Sequence, residues 1–220
     1  MKISTRSLAL VALLLPAFSA TAQDVSFDNL ERIKDATVAA AYIDRDADFS
    51  IYNRVRILDP YVAFQANWQR QQNRNNPGGR VNAQDKERIR EAAADLLTDV
   101  FIEVLEADDG FEVVDEAGDD VLILRPAIFD LVITAPDTRS AGRSRTVTAT
   151  AGAATLYIEL FDGGSGKIIG RAVDRRAASR PGGMMQWSNR VTNVSEARRM
   201  FRVWAGRLRE FLDNHYMGQS

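Results

Sequence analysis

Cysteine is absent from these 220 residues, and histidine occurs once, as His215. The first absence excludes disulfides, Cys–His catalysis and thiolate-bound zinc. The second excludes a histidine cluster around a metal and places the lone imidazole almost at the end of the chain. No G-x-S-x-G stretch occurs, which removes the serine hydrolases built on a nucleophile elbow. A dominant charge of one sign is missing too. The formal net charge is −2, and it becomes −4 once Lys2 and Arg6 in the first 22 residues are set aside. Such mild acidity gives no support to nucleic-acid binding. Long apolar runs are confined to the start, where Leu8–Leu15 is far shorter than the ~20 residues that span a bilayer.

That short run, the basic Lys2 and Arg6 before it, and Ala20-Thr21-Ala22 after it read as a signal peptide over 1–22, cleaved after Ala22. The expected location is periplasmic or secreted, with no transmembrane helix after processing. Without cysteine, no lipid can be attached in the manner of bacterial lipoproteins. The rest divides into an N-terminal arm over 23–36, a single α+β domain over 37–214 and a tail over 215–220.

Within that domain, Ile89, Ala92, Ala93, Leu96, Leu97, Val100, Phe101, Val104 and Leu105 recur at steps of three and four. They predict a long helix over 83–107, capped by Asn82 and closed by Gly110. A second stripe from Ala197 to Leu212 predicts a helix over 195–214, with Arg198, Arg199, Arg202, Arg207 and Arg209 on its remaining surface. Strands are predicted over 37–43, 51–68, 111–115, 120–134, 146–161 and 167–176, with Pro60 bending the second or placing it at an edge. Segments 69–80, 135–145 and 177–189 read as loops. The expected fold is α+β: a single mostly antiparallel sheet with the two long helices packed on one face.

Gly163-Gly164-Ser165-Gly166-Lys167 superficially suggests a phosphate-binding loop. The P-loop pattern demands glycine where Phe161 stands and a hydroxyl residue where Ile168 stands, followed at once by a helix. Strand-like sequence follows instead, so the stretch reads as a hairpin turn, with Asp162 bonding its backbone. "DRDAD" at 44–48 begins like a calcium loop, but Phe49 occupies the position that needs glycine. No cofactor and no metal site is expected, and no catalytic set stands out. The doublets Asp108-Asp109 and Asp119-Asp120 sit beside glycine, where aspartate commonly serves a turn.

Arginines gather in the loops and strand ends: Arg70, Arg74 and Arg80; Arg139, Arg143 and Arg145; Arg175, Arg176, Arg180 and Arg190. Brought to one end of a sheet, they would give an acidic protein a local positive surface for an envelope protein or an acidic envelope polymer. Trp187, in "GGMMQW", adds an apolar contact or a lid over the core. The partner-binding candidates are therefore Arg139, Arg143, Arg145, Arg175, Arg176, Arg180 and Trp187. The oligomeric state is not written in the sequence. The functional expectation is a non-catalytic binding or assembly module; the alternative is a carboxylate-dependent envelope hydrolase, which would need a deep pocket with two carboxylates of raised pKa.

The phrases "ADFSIYNRVRI", "DKERIREAAADLLTDVFIEVLEADDGFEVVDEAGDDVLILRPAIFDL", "ATLYIELFDGGSGKIIGRAVDRR" and "ARRMFRVWAGRLREFLD" together resemble the bacterial envelope proteins grouped as domain of unknown function 3313. The likeness runs from about Val38 to Asp213. It implies an envelope location and brings no activity, cofactor or catalytic residue.

Overall fold

The computed structural model describes residues 29–34, 36–75, 80–134, 146–148, 150–179, 186–188 and 190–216. In chain order come β1 (Glu31–Arg32), β2 (Ala40–Ile43), a 3-10 turn (Phe49–Ile51), β3 (Arg54–Ile57), β4 (Tyr61–Phe64), α1 (Trp68–Asn75) and α2 (Ala83–Leu105). Then follow β5 (Glu112–Val113), β6 (Val121–Ile133), β7 (Thr146–Thr148), β8 (Thr150–Asp162), β9 (Ile168–Ser179), β10 (Gln186–Ser188) and α3 (Arg190–Tyr216). The result is a mixed α/β fold with one large, mostly antiparallel sheet and three helices among the described residues.

Eight strands form that sheet in the order β1-β2-β9-β8-β6-β3-β5, with β4 also on β6. Strands β3 and β4 lie end to end, both parallel to β6, against Val121–Leu124 and Ala127–Leu131 respectively. Pro60 falls in the break between them, where a residue without an N–H interrupts no ladder. Among the described residues, strand β7 pairs with β10 in a separate two-stranded sheet. Gln186–Ser188 and the last residues of β9 thus convert parts of the expected 177–189 loop into strand.

Alternation along the long strands separates two faces. Leu124, Leu160 and Gly170 stand in one cross-strand row, Pro126, Ile158 and Ala172 in the next, and Ile128, Leu156 and Asp174 in the third. Leu124, Ile128, Leu156 and Ile158 join Leu97, Val100, Phe101 and Leu105 of α2 and Phe201, Trp204 and Leu212 of α3 in one core. Helix α2 starts on a complete capping box: Asp85 N–H donates to Asn82, and Asn82 N–H donates to the Asp85 carboxylate. It ends at Leu105, short of Gly110.

Helix α1 departs from the sequence reading, which has a strand running to residue 68 and a polar loop after it. "WQRQQNRN" carries no apolar stripe; Trp68 is its buried anchor, and Gln69, Gln72 and Asn73 add side-chain hydrogen bonds to the Val81 and Ile133 backbone. That indole is buried, stacks on Phe64 at 4.3 Å between ring centroids, and donates to the Ile133 carbonyl at 3.1 Å. Tertiary anchoring supplies what local pattern lacks.

Candidate functional site

Asp174 is a charged side chain on the core-facing side of β9. Its Oδ2 accepts from Trp204 Nε1 at 3.0 Å, Arg207 Nη1 at 3.0 Å and Arg176 Nε at 2.9 Å, while Oδ1 accepts from Ala39 N at 3.2 Å. Four donors occupy about as many lone-pair positions as a carboxylate has. Asp174 is consequently a structural tie between β9, α3 and the approach to β2.

Beside this tie lies a cavity of about 280 Å³, walled by β2, β9 and β8 on one side and by α3 on the other. Val38, Ala41, Ile158, Ala172, Leu208 and Phe211 make its surface mainly apolar, and Asp174, Arg207 and Glu210 bring charge to its border. A second, more open cleft of about 500 Å³ separates α1 from α2. Arg70, Lys86 and Arg90 border it, together with Asn73, and among the described residues no acidic side chain does. Lys86 Nζ and the Arg90 guanidinium sit 5.6 and 5.9 Å from the centre of the Phe64 ring.

The other sheet face has a different chemistry. Arg125, Glu159 and Arg171 occupy one cross-strand row, and Ala127, Tyr157 and Val173 the next. Glu159 is buried beneath its neighbours: Arg125 Nε donates at 2.7 Å, Arg171 Nη2 at 3.0 Å and Tyr157 Oη at 2.7 Å. Burial pushes the Glu159 carboxyl up, but these three donors outweigh it and hold the group below its ordinary value. Burial and the same carboxylate push Tyr157 up to about 12.

Next to this row runs an aromatic chain. Tyr61 approaches Phe129 with ring centroids 5.8 Å apart, and Phe129 approaches Tyr157 at 6.2 Å. Tyr61 is 61% exposed and Phe129 39%. Phe129 stays in register with Thr155, after which the β6–β8 pairing shifts through Asp130, whose φ is 51°. Arg175, on the same row as Thr155, reaches the Asp130 carboxylate at 3.6 Å.

Arg175 and Arg176, grouped together in the sequence reading, therefore point to opposite faces. Arg175 stands more than half exposed beside the aromatic chain, whereas Arg176 is spent on Asp174. Arg139, Arg143, Arg145 and Arg180 lie outside the described residues, and so does the Trp187 side chain, although its backbone pairs with Val147. Of the five arginines assigned to the surface of the last helix, Arg198, Arg202, Arg207 and Arg209 reach other elements, and Arg199 pairs with Glu196 of its own helix. Arg198 and Arg202 both reach Glu103 of α2, and Arg209 reaches carbonyls at the α2 end. Phe129, Tyr157, Glu159 and Asp174 were not singled out by sequence, and Tyr61 and Trp204 were read only as members of a strand and of the last helix's apolar stripe. The readable signal was alternation: in "LYIEL", Tyr157 and Glu159 oppose Leu156, Ile158 and Leu160.

The glycine-rich stretch is a hairpin between β8 and β9. Asp162 N donates to Lys167 O at 2.9 Å, Gly166 N to Asp162 O at 2.8 Å, and Ser165 N to the Asp162 side chain at 2.8 Å. Lys167 Nζ is held by Asp44 at 2.6 Å. The carboxylate doublets serve turns: Asp108 and Asp109 both adopt positive φ, and Asp120 pairs with Arg54. Where a carboxylate is displaced from its ordinary pKa, at Asp44, Asp48, Asp120, Glu159 and Asp162, the displacement is downward. A hydrolytic acid would need the opposite. Among the described residues no three His, Asp or Glu side chains are placed to hold a metal ion, and no helix is long and apolar enough to cross a membrane.

Fold and surfaces define a mixed α/β domain with an internal carboxylate tie and an aromatic–arginine sheet face. The chain matches the family described as "Protein of unknown function (DUF3313)" over residues 18–208, and it belongs to that family. No curated protein matches it. Among solved structures it is similar to protein XCC0632 from Xanthomonas campestris, at 13% identity and TM-score 0.44, covering 84% of this chain and 93% of that one. It is similar also to the PelC dodecamer from Paraburkholderia phytofirmans, at 10% identity and TM-score 0.39, covering 77% and 96%. A third likeness is to hypothetical protein CT253 from Chlamydia trachomatis, at 9% identity and TM-score 0.35, covering 73% and 98%. At these scores the likenesses carry no inference about activity.

Proposed function

We propose that this protein is a non-catalytic binding module of the bacterial envelope, exported by its signal peptide, that captures an acidic envelope polymer on its aromatic–arginine sheet face. In this reading α2 and α3 cover the face bearing Leu124, Leu156 and Ile158 and leave the opposite face open. The observation that carries it is the aromatic chain Tyr61–Phe129–Tyr157, exposed at Tyr61 and Phe129, with the half-exposed Arg125 and Arg175 beside it. Flat aromatic rings offer stacking surface at small entropic cost, and guanidinium groups pair with carboxylates. The basic cleft supports the same reading, since it begins at Ala63, two residues along the chain from Tyr61.

Titration with polygalacturonate tests it. Tyr61→Ser with Arg175→Ala is expected to weaken binding about tenfold, and added salt to weaken it further, because exposed charges are screened within ~10 Å at 0.1 M. Equal affinity for neutral dextran, or no effect of the double variant, would overturn the reading. Export is tested separately by fractionating cells and sequencing the mature terminus, which should begin at Gln23.

A further inference from the structure

The cavity between the sheet and α3 is independent of the polymer-binding face and has a chemistry of its own. Its apolar wall comes from both layers: Ala41 and Ala172 on the sheet, Leu208 and Phe211 on the helix. Small side chains on the sheet side leave room that larger ones would fill. At about 280 Å³ it sits near the lower end of ligand pockets, ~300 Å³, which suits one narrow chain better than a fused ring system.

Arg176 and Arg207 both pair with the single carboxylate of Asp174, and Glu210 at the cavity border offsets the positive charge that this leaves. Arg207 lines the cavity and uses one of its five N–H groups, on Nη1, to hold Asp174. The remaining donors of its fork suit a bidentate carboxylate. Glu210 also borders the cavity and disfavours a polyanion there, so a head group with a single negative charge fits better than a phosphate.

We infer that this cavity binds a long-chain fatty acid, its alkyl chain between β2–β9 and α3 and its carboxylate on Arg207. The ligand is held by burial of its chain and one charge-assisted contact, with no covalent step.

The experiment uses the purified full chain and cis-parinaric acid, whose fluorescence rises in an apolar site. Saturable one-to-one binding is expected, displaced by palmitate and much less by hexadecanol, which has the same chain without the carboxylate. Ala41→Phe fills the cavity and should weaken parinarate about tenfold, a shift well resolved by titration. Arg207→Gln should bring palmitate and hexadecanol to equal potency. Should Arg207→Gln fail to fold, Ala41→Phe, checked for an intact unfolding transition, decides alone. Wild-type affinity in Ala41→Phe, or hexadecanol matching palmitate on the wild type, overturns the inference. So does absence of parinarate binding at micromolar concentrations, the outcome expected if this chain's own residues or a second copy fill the space.

Discussion

Trp204 of α3 donates its indole N–H to Asp174 of β9 at 3.0 Å, a buried bond between residues 30 apart in sequence. It fixes the helix against the sheet at one point and in one orientation. Burying a carboxylate is costly unless it is paired and hydrogen-bonded, and here the donors come from three segments: Trp204 and Arg207 of α3, Arg176 of β9, and Ala39 before β2. Trp204→Phe keeps most of the ring volume and removes one donor to a charged group, so a loss of about 1.5–3 kcal/mol is expected. Asp174→Ala leaves Arg176, Arg207, Trp204 and the Ala39 amide without their shared acceptor and should cost about 3–5 kcal/mol. Urea unfolding of the two variants measures both. Near-wild-type stability of Asp174→Ala would mean that the carboxylate holds nothing together.

The β8–β9 turn should distinguish its glycines sharply. A Cβ on Gly163 would lie 2.4 Å from Val121 O and 2.5 Å from Gly118 O, both backbone atoms with no freedom to swing away. Gly166 has φ +70° and open space around it. Gly163→Ala therefore displaces the turn from the β6 start and should cost more than about 2 kcal/mol, in the range of overpacked cores. Gly166→Ala meets only the left-handed backbone penalty of ~1 kcal/mol. Thermal denaturation ranks the two, and the reverse order would refute the turn geometry.

Those contrasts show what sequence could and could not disclose. The stripes from Ile89 to Leu105 and from Ala197 to Leu212 announced α2 and α3, because a buried helix face repeats locally every three to four residues. The hairpin was equally legible, since turn chemistry is local. Helix α1 was hidden because its cause, Trp68 on Phe64 and Ile133, is tertiary. The Asp174 tie was hidden for the same reason: its partners Ala39 and Arg207 lie 135 and 33 residues away. Arg175 and Arg176 looked like one basic patch until strand alternation was applied to them.

Glu159 should give stability a dependence on pH at both ends. Its carboxyl is held below the ordinary value of 4.5, so the contribution is complete above that value and is lost as pH falls through the folded one. Tyr157 behaves in the opposite sense. Its hydroxyl is pushed up from 10.0 to about 12, so its contribution is complete below pH 10 and is lost between those values. Glu159→Gln removes Glu159's share of the acid arm and leaves that of Asp44, Asp48, Asp120 and Asp162. It should shrink the alkaline arm without abolishing it, because burial is the larger cause of the Tyr157 shift. Urea midpoints across the pH range read both arms; an unchanged acid arm in Glu159→Gln would assign it to other carboxylates.

Arg209 closes the C-terminal end of α2 from another helix. Its Nη1 donates to Ala107 O at 2.8 Å and Leu105 O at 3.0 Å, while Nε is held by Asp213 at 2.7 Å. A cation at these carbonyls satisfies acceptors the helix cannot and opposes the negative end of its dipole. Gly110 makes room for it: a Cβ there would lie 2.1 Å from Arg209 Nη1 and 2.2 Å from Leu105 O. Arg209→Ala should cost about 1–2 kcal/mol through the lost charged hydrogen bonds. Gly110→Ala should cost more, since it expels the guanidinium and also presses on a backbone oxygen. In the Arg209→Ala background the first of those clashes is already gone, so the cost of Gly110→Ala should fall without vanishing. A double-mutant cycle measures that coupling. Equal costs in both backgrounds would mean that the glycine serves the Leu105 carbonyl alone.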